Sequence, residues 1–464
     1  MIILILLLGL VLRLINLNQS LWLDEAVQAI TSQGSFFNIF SELLGDFHPP
    51  LYHIFMWRWV HLLGSSEIIL RLPSVIFGTA TIYVVYKIAD YGLRINGLRI
   101  AQIVALLMAT APFHIYYSQE ARPYALVTLL VSLSMYFFLK KKWTFYVVAT
   151  VLALYSSYFA IFILLVQGII SWRNRNNHVL RYQAVSLLMF IPWLPMFIKQ
   201  ISFGKEAVSI LPQWGILVNA SFIKALPLTF IKFIIGRITI FDKTLYELSA
   251  ICLFLVYGFL LLKGLFRKDL LINLWLIVPT ALALLLSVGL PNFQPFRLLF
   301  VLPAFYLLLV LGLMSIKSDR IVKMFAGFII LVSVFSLYQY YSNPYFWRED
   351  WRGTIYFIEQ QKNAVAVLPS STSNWPWQYY SSGKVRLIGI SPGARMVDSK
   401  DFDNLTLRQA QGKQFINLTI YYIRYLQPLF DPEEKIIFWL TKNGYNKTKE
   451  ISFNQIPVWE YRKN

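Results

Sequence analysis

Two short acidic segments near the N-terminus carry the side chains best suited to acid–base chemistry. The first contains the adjacent carboxylates Asp24 and Glu25 and follows an apolar run that ends at Arg13. The second, about twenty residues later, contains Asp46 and His48, followed by two prolines. Ionised side chains beside a hydrophobic segment are costly unless they face a wet cavity or a partner. The two segments therefore predict a shared polar site. The alternative is that Asp24 and Glu25 stabilise the start of the next helix.

A third segment, Tyr-Tyr-Ser-Gln-Glu-Ala-Arg-Pro-Tyr, ends at Tyr124 and lies where two predicted membrane spans nearly meet. Its arginine, Arg122, suits a phosphate ligand because a planar guanidinium donates two parallel hydrogen bonds. Tyr117 and Tyr124 stand on either side of it in the sequence. The alternative is a structural ion pair between Glu120 and Arg122 at a tight turn.

A lone arginine, Arg297, precedes a late apolar segment at its predicted outer end. It is a candidate second phosphate ligand. The alternative is that its side chain extends to the membrane interface, as long basic side chains commonly do.

The second acidic segment also raises the question of a metal. Asp46 and His48, with His53 five residues further on, are residue types that bind divalent cations. A metal site needs more ligands at defined geometry than an Asp-x-His pattern supplies. We therefore predict hydrogen bonds within this loop and no required cofactor, and a divalent cation stays open.

Composition places the chain in a membrane. Hydrophobic residues make up 57% of the sequence, charged residues only 14%, and aromatic residues 17%. Many windows are long enough to cross a bilayer, which takes roughly 20 mostly apolar residues. The single cysteine, Cys252, excludes an intramolecular disulfide framework and is interpreted as a small buried hydrophobe. Because the N-terminus lacks a basic region and a cleavage site, we interpret it as a retained first span.

The apolar segments predict about eleven spans. They lie at residues 1–15, 70–89, 98–116, 123–139, 143–155, 157–171, 182–199, 246–262, 270–288, 298–316 and 322–341. The long stretch 143–172 is divided at Tyr155-Ser156-Ser157-Tyr158. The apolar segment 207–240 contains prolines and lysines, so it is predicted to be an interfacial loop, with an extra helix pair as the alternative.

Basic residues alternate between the connections and predict the topology. Every second connection is short and rich in lysine and arginine, and such loops lie on the cytoplasmic side. The residues concerned are Lys87, Arg94, Arg99, Lys140, Lys141, Lys142, Arg173, Arg175, Arg181, Lys263, Arg267, Lys268, Lys317, Arg320 and Lys323. The N-terminus is then cytoplasmic, and the three polar segments lie outside. The net charge of +19 therefore need not indicate nucleic acid, for which the sequence has no motif.

The composition changes after Tyr341, which divides the chain into a membrane domain, 1–341, and an extracytoplasmic domain, 342–464. Apolar runs there shorten to strand length and alternate with helix-like segments, including 351–361, which predicts a small α/β domain. The predicted strands are 364–368, 385–390, 415–422 and 435–440.

The three polar segments and Arg297, in this order on one predicted face, resemble the GT-C glycosyltransferases. The bacterial branch of glycosyltransferase family 39, the dolichyl-phosphate-mannose–protein mannosyltransferase superfamily, is the most similar, and this branch is similar to the lipid A aminoarabinose transferases. The resemblance covers the whole membrane domain, and Glu349-Asp350-Trp351-Arg352 of the tail also fits. The tail differs from the β-trefoil domain of the eukaryotic protein mannosyltransferases.

The resemblance implies transfer of a sugar, with inversion, from a polyprenyl-phosphate donor to an extracytoplasmic glycolipid, polysaccharide or protein. It implies a catalytic role for Asp24 with Glu25 beside it, and an acceptor side formed by Asp46 and His48. The donor phosphate would contact Arg122, Arg297, Tyr117 and Tyr124. The expected location is the plasma (inner) membrane, with the lipid bilayer, the donor and an unidentified acceptor as partners.

Two other functions fit parts of the same pattern. A multi-span transporter or flippase of lipid-linked sugars also has intramembrane charges and broken helices. Transporters often repeat a hydropathy pattern between their halves, and none is visible here. A ligase that uses a polyprenyl-diphosphate donor is the other alternative.

Overall fold

The computed structural model describes residues 1–92, 97–175, 178–267, 269–289, 293–404 and 418–463. Some residues of the sequence predictions lie outside these ranges. They are Arg94 and Lys268 of the basic connections and the first three residues of the predicted strand 415–422.

Eighteen helices build the membrane domain within the described residues. In chain order, α1 to α18 are Ile2–Leu14, Leu23–Gln33, Asn38–Asp46, Leu51–Leu63, Glu67–Gly92, Gly97–Thr110, Pro112–Ser118, Tyr124–Leu139, Trp143–Leu154, Ile161–Arg173, His178–Leu188, Leu194–Ile210, Pro212–Val218, Phe222–Ile235, Lys243–Leu265, Leu270–Leu286, Leu302–Leu313 and Asp319–Ser342.

Each of the eleven predicted spans is helical. Five continuous helical stretches are long and apolar enough to cross a membrane, and a bent pair, α6 with α7, gives a sixth. Five shorter apolar helices occupy the remaining predicted positions. The number of helices that cross the bilayer stays a prediction. The stretch 143–172 is broken where expected, because α9 ends at Leu154 and α10 begins at Ile161 after a turn of 3-10 helix.

The segment 207–240 is helical, so its interpretation as a loop was wrong. The end of α12, all of α13 and all of α14 lie in it, which is the helix-pair alternative. Pro227 is accommodated inside α14. The prolines and lysines suggested a loop, but packing of the apolar face of α14 outweighs the loss of one backbone hydrogen bond.

A buried arginine at the end of the first helix fixes the bend between α6 and α7, which is 58°. Arg13 is fully buried and donates to the carbonyl oxygens of Met108 and Ala109, which end α6, and to the hydroxyl of Ser118 at the end of α7. The carbonyl of Met108 has no helical partner because Pro112, four residues further on, lacks an N–H. The bend directs the residues after Ser118 back across one end of the bundle.

The C-terminal domain is a five-stranded sheet with helices on it. The remaining helices, α19 to α22, are Trp351–Glu359, Trp375–Tyr380, Gln427–Phe430 and Lys435–Lys442, and the strands β1 to β5 are Ala364–Ser370, Arg386–Ser391, Thr419–Ile423, Tyr445–Phe453 and Ile456–Lys463. The strand order is β2-β1-β3-β5-β4, in which β1 pairs in parallel with β2 and β3. The β4–β5 hairpin joins antiparallel to β3.

The prediction of the α/β class was correct, but one element was wrong and two were missed. The predicted strand 435–440 is helix α22, whose apolar residues Ile436 and Leu440 fall on one buried face while Asp431 accepts from its first backbone amides. The strands β4 and β5 were missed. Most residues of the edge strand β4 are polar and exposed, so it lacks the apolar signal of a strand.

The C-terminal domain rests on the loop that carries the first acidic segment. Arg352 contacts Glu67 at 2.9 Å, and the hydroxyl of Tyr380 accepts from the backbone N–H of Leu21 at 2.8 Å. Arg348, in the linker to this domain, reaches Glu120 at 2.7 Å. The C-terminal domain and the three polar segments therefore lie on the same side of the helical bundle.

Candidate active site

Glu25 is held in a buried ion pair. Arg71 of α5 donates to both carboxylate oxygens of Glu25, with an Nε–Oε1 distance of 2.8 Å, and the backbone N–H of Ala121 donates to the same carboxylate. Neither side chain of the pair is exposed beyond 1%. Burial alone would raise the pKa of Glu25, but Arg71 outweighs burial and lowers it. Glu25 therefore joins α2, α5 and the third segment.

Asp24 stays partly exposed. Its side chain is 39% exposed, and its nearest basic atom is Nη2 of Arg122, at 3.8 Å. Withdrawal from bulk water raises the pKa of Asp24 to about 6, with Arg122 acting against this and the carboxylates of Asp46, Glu120 and Glu25 adding to it. A carboxylate with this pKa is a stronger proton acceptor than an ordinary aspartate.

The two adjacent acids therefore have different environments. Both lie in the first turn of α2, but the helix has no side-chain cap, and the hydrogen bonds of Glu25 go to Arg71 and Ala121. Successive helical residues point about 100° apart, so Glu25 enters the packing while Asp24 stays partly exposed. When the environments of two neighbouring acids shift their pKa values apart, the two acids take different roles.

Arg122 joins the first and second acidic segments. Its Nη2 donates to Oδ1 of Asp46 at 2.6 Å while lying 3.8 Å from Asp24. His53 contacts the other oxygen of Asp46 at 2.7 Å, and His48 lies 3.4 Å from Oδ1. Burial would raise the pKa of Asp46, but Arg122 and His48 hold it well below its usual range. Asp46 is thus an ionised anchor for the guanidinium.

Glu120 does not form the ion pair with Arg122 that was the alternative interpretation of this segment. Glu120 pairs with Arg348, whose guanidinium also donates to the hydroxyl of Tyr116 at 2.6 Å. Arg122 keeps a buried Nε that has no hydrogen-bond partner within the described residues. A donor in this state is suited to an anion from outside the protein.

A cavity opens beside Arg122. It encloses about 490 Å³ of empty space, part of it open to the exterior, and is lined by His48, Tyr124 and Arg297 together with residues 156–159, which precede α10. Arg122 is not in the lining, but its Nη2 lies 3.4 Å from Nδ1 of His48. Arg297 lies in a short 3-10 helix, Pro295–Val301, that ends against α17. The structure therefore brings four of the predicted ligands, Arg122 included, to one place.

Tyr117 forms part of an aromatic wall. Its ring lies 5.1 Å from Tyr116, 5.3 Å from Tyr124 and 5.7 Å from Phe296, and only 3% of the residue is exposed. We call Tyr116, Tyr117, Tyr124 and Phe296 the aromatic wall. Tyr117 stands behind Tyr124, so its predicted contact with a donor phosphate is less direct than that of Tyr124.

A family model described as dolichyl-phosphate-mannose-protein mannosyltransferase matches residues 47–197, about a third of the chain. That match begins in the second acidic segment and includes the third. No curated protein matches the sequence.

Solved structures match almost the whole chain. ArnT from Cupriavidus metallidurans bound to undecaprenyl phosphate is 13% identical with a TM-score of 0.53, over 99% of this chain and 97% of that one. The Archaeoglobus fulgidus oligosaccharyltransferase AglB, in complex with an inhibitory peptide and a dolichol-phosphate, is 11% identical with a TM-score of 0.51, over 99% of this chain and 74% of that one. The chain has the GT-C fold.

The mycobacterial arabinofuranosyltransferase AftD has this fold too. It is 14% identical with a TM-score of 0.51, over 99% of this chain but only 39% of AftD. All three relatives are membrane-embedded GT-C glycosyltransferases, and this GT-C chain is likewise an integral membrane protein.

Two charged residues of the candidate site, Arg71 and Arg348, were missed by the sequence interpretation, and Glu349 entered it only through the resemblance. Arg71 and Arg348 hold Glu25 and Glu120, and Glu349 accepts from Trp351 and Tyr425 at 3.0 Å each. Burial raises the pKa of Glu349 to about 7, and the charge of Asp24 adds to this. The only available signal was an arginine inside the apolar segment 70–89, because charges at that depth are costly without a partner.

The structure offers no ready-made metal site in the part of the chain it describes. No group of three or more histidine, cysteine, aspartate and glutamate side chains there has the arrangement that holds a metal ion. Asp46 contacts both His48 and His53. The absence of a required cofactor stays a prediction.

Glu25→Gln is expected to destabilise the protein. Removing one partner of a buried ion pair costs about 3–5 kcal/mol because the other charge stays buried and unpaired. The control is Glu450→Gln, which removes the exposed contact with Lys447 and should change the stability little, because exposed ion pairs contribute little. The free energy of unfolding in detergent measures both. Equal losses in the two variants would contradict a structural role for the Glu25–Arg71 pair.

Proposed function

We propose that this protein transfers a sugar from a polyprenyl-phosphate donor to an acceptor at the outer face of the membrane, with inversion at the sugar. One observation carries the proposal. A partly exposed aspartate with a raised pKa, Asp24, lies beside a buried arginine that retains an unpartnered donor, Arg122. The relatives bound to undecaprenyl phosphate and dolichol-phosphate support the donor class.

Asp24 acts as the base. Its carboxylate accepts the proton of the acceptor hydroxyl or amine as that group attacks the anomeric carbon. A bond from the acceptor to this carbon forms while the bond from the carbon to the phosphate oxygen breaks, and the electron pair leaves with the polyprenyl phosphate. Attack from the face opposite the phosphate gives inversion.

The departing phosphate is already a weak base, so the step needs positive charge more than a general acid. Arg297 in the cavity and the buried, unpartnered Nε of Arg122 supply it in a partly enclosed site. Tyr124 adds a hydroxyl to the same cavity, with Tyr117 packed behind it. Asp46 keeps Arg122 in place, and His48 lines the cavity on the acceptor side.

The proposed activity is tested with purified protein in proteoliposomes. An undecaprenyl-phosphate sugar should be converted to free undecaprenyl phosphate when an envelope extract is added as acceptor, whereas the matching undecaprenyl-diphosphate sugar should stay intact. Consumption of the diphosphate donor alone would instead favour the ligase. Movement of the intact donor between leaflets without sugar transfer would favour a flippase.

The rate is expected to fall as the pH drops through about 6, because the pKa of Asp24 is raised to about 6 and only the ionised carboxylate accepts a proton. The fall should be about ten-fold per pH unit on the acid side for a single essential base. Glu349, whose pKa is raised to about 7, is the other group whose protonation would lower the rate in this pH range. The pH profile is therefore repeated with Glu349→Gln. If the rate of that variant no longer falls at low pH, the pH dependence does not come from Asp24.

We also propose that the N-terminus is cytoplasmic in the plasma membrane and that the C-terminal domain is extracytoplasmic. The alternating basic connections support this orientation, and the contacts of the C-terminal domain with the first acidic segment put both on one side. A periplasmic reporter fused after Tyr341 should be active, and one fused after Lys141 should be inactive. An active fusion at Lys141 would reverse the orientation.

A further inference from the structure

A second cavity lies away from the proposed site, on the lipid-facing side of the bundle. Residues of α14, α15 and α18 form a groove with about 750 Å³ of empty space, including its open mouth. Its lining is almost wholly apolar, and Cys252 opens to the exterior there, which corrects the interpretation of this cysteine as buried. The neighbouring Leu331 and Leu255 are 66% and 69% exposed, so the groove faces the lipid chains.

Two basic side chains stand at one end of this groove, and burial lowers the pKa of Lys232 to about 7, so a bound phosphate would favour its charged form. The ammonium of Lys232 donates to the carbonyl oxygen of Ile238, a residue of the groove lining, and the exposed Arg237 directly precedes Ile238. Within the described residues, neither cation has a carboxylate at ion-pair distance, which is 4.0 Å or less. Adjacent cations without an anion, beside an apolar groove, match the charge and shape of an anionic lipid.

The same end of the groove is fixed to the proposed site. Gly236 adopts φ +73°, and a side chain there would meet Pro112 at 2.9 Å, so the backbone packs directly on the bend between α6 and α7. The guanidinium of Arg237 lies 5.2 Å from the ring of Tyr116, the first member of the aromatic wall. Glu120 interacts electrostatically with both Arg237 and Asp24.

We propose that the groove binds a second lipid, an anionic membrane lipid with its phosphate at Lys232 and Arg237 and its chains along α14, α15 and α18. If sugar transfer proceeds as proposed above, this lipid is the acceptor. It enters from the groove while the donor phosphate occupies the cavity at Arg297, and the aromatic wall connects the two sites.

The sequence contains one cysteine, and it lines the groove, so its accessibility reports occupancy. The full chain in detergent is treated with N-ethylmaleimide, and modification of Cys252 is followed by intact mass. Dioleoyl phosphatidylglycerol should slow the modification about five-fold once its concentration exceeds the Kd several-fold. Dioleoyl phosphatidylcholine, with identical chains and no net charge, should have little effect, and inorganic phosphate alone should have none.

Charge-removing variants complete the test. The double variant Lys232→Gln, Arg237→Gln should lose the difference between the two lipids. Lys224→Gln, which removes an exposed lysine from the same helix, should keep it. Because the double variant could fail to fold, Arg237→Gln alone, at an exposed position, provides a second measurement. Equal protection by the two lipids, or full protection in the double variant, would overturn the proposal.

Two further results address the acceptor role. Arg237→Gln should raise the KM for the acceptor and leave donor affinity unchanged. Stronger protection of Cys252 by undecaprenyl phosphate than by phosphatidylglycerol would overturn the acceptor assignment and place the donor in the groove. Protection of Cys252 from N-ethylmaleimide is measured without donor and without sugar transfer. The lipid site can therefore fail this test while the proposed function holds, and the reverse.

Discussion

Asp24→Asn should abolish sugar transfer while leaving the fold and donor binding unchanged. Asparagine has nearly the same shape but cannot accept the proton, and loss of a general base costs about 10²–10⁴-fold in rate. The side chain is 39% exposed and makes no hydrogen bond that supports the helix, so thermal stability should stay close to wild type. Single-turnover transfer, donor affinity and thermal denaturation are measured on the same preparation.

The adjacent variant, Glu25→Gln, is the control for Asp24→Asn. Glu25→Gln should lose stability first and activity as a consequence, because Glu25 pairs with Arg71 in the packing. Full transfer by Asp24→Asn would remove Asp24 from the catalytic centre. A loss of stability in Asp24→Asn equal to that in Glu25→Gln would indicate that both acids are structural.

Arg297→Ala should weaken donor binding by about 10- to 150-fold, since a hydrogen bond to a charged group contributes about 1.5–3 kcal/mol. Arg297→Lys should recover only part of this affinity, because an ammonium lacks the planar fork that contacts two phosphate oxygens. Binding of an undecaprenyl-phosphate sugar to purified variants measures the effect. The matched control is Arg320→Ala, an exposed arginine at the start of α18, on the predicted cytoplasmic side.

Arg122→Ala tests whether Arg122 supports the stability of the protein in addition to donor binding. Arg122 is 3% exposed and anchored to Asp46, so its loss should lower thermal stability as well as donor affinity. Arg297→Ala should lower affinity alone. If Arg297→Ala binds the donor as tightly as wild type while Arg122→Ala does not, the phosphate contact belongs to Arg122.

The sequence alone was sufficient for the broad architecture. A span is recognised from a local apolar run, and each of the eleven predicted segments is helical. Prediction failed where packing overrode local composition. The lysines and prolines of 207–240 suggested a loop, but α14 packs its apolar face inward. The polar edge strand β4 is specified by its hairpin partner β5, which composition does not reveal.

The candidate site was predicted in part. Asp24, Asp46, His48, Arg122 and Arg297 were selected from residue type and position, and the structure places them together. The pairing was not predictable, because the partners are far apart in the chain: Arg122 contacts Asp46, and Glu120 contacts Arg348. These pairs form only when the bend held by Arg13 and the docked C-terminal domain bring the segments into one place.

The sequence by itself therefore determined a membrane-embedded helical protein with acids and arginines gathered at one predicted face. Hydrophobicity and charge are local properties, so they can be read residue by residue. Only the tertiary structure decided which of two adjacent carboxylates stays partly exposed. Asp24 and Glu25 have almost the same chemistry, and Arg71, 46 residues from Glu25 in the sequence, buries one and leaves the other able to accept a proton.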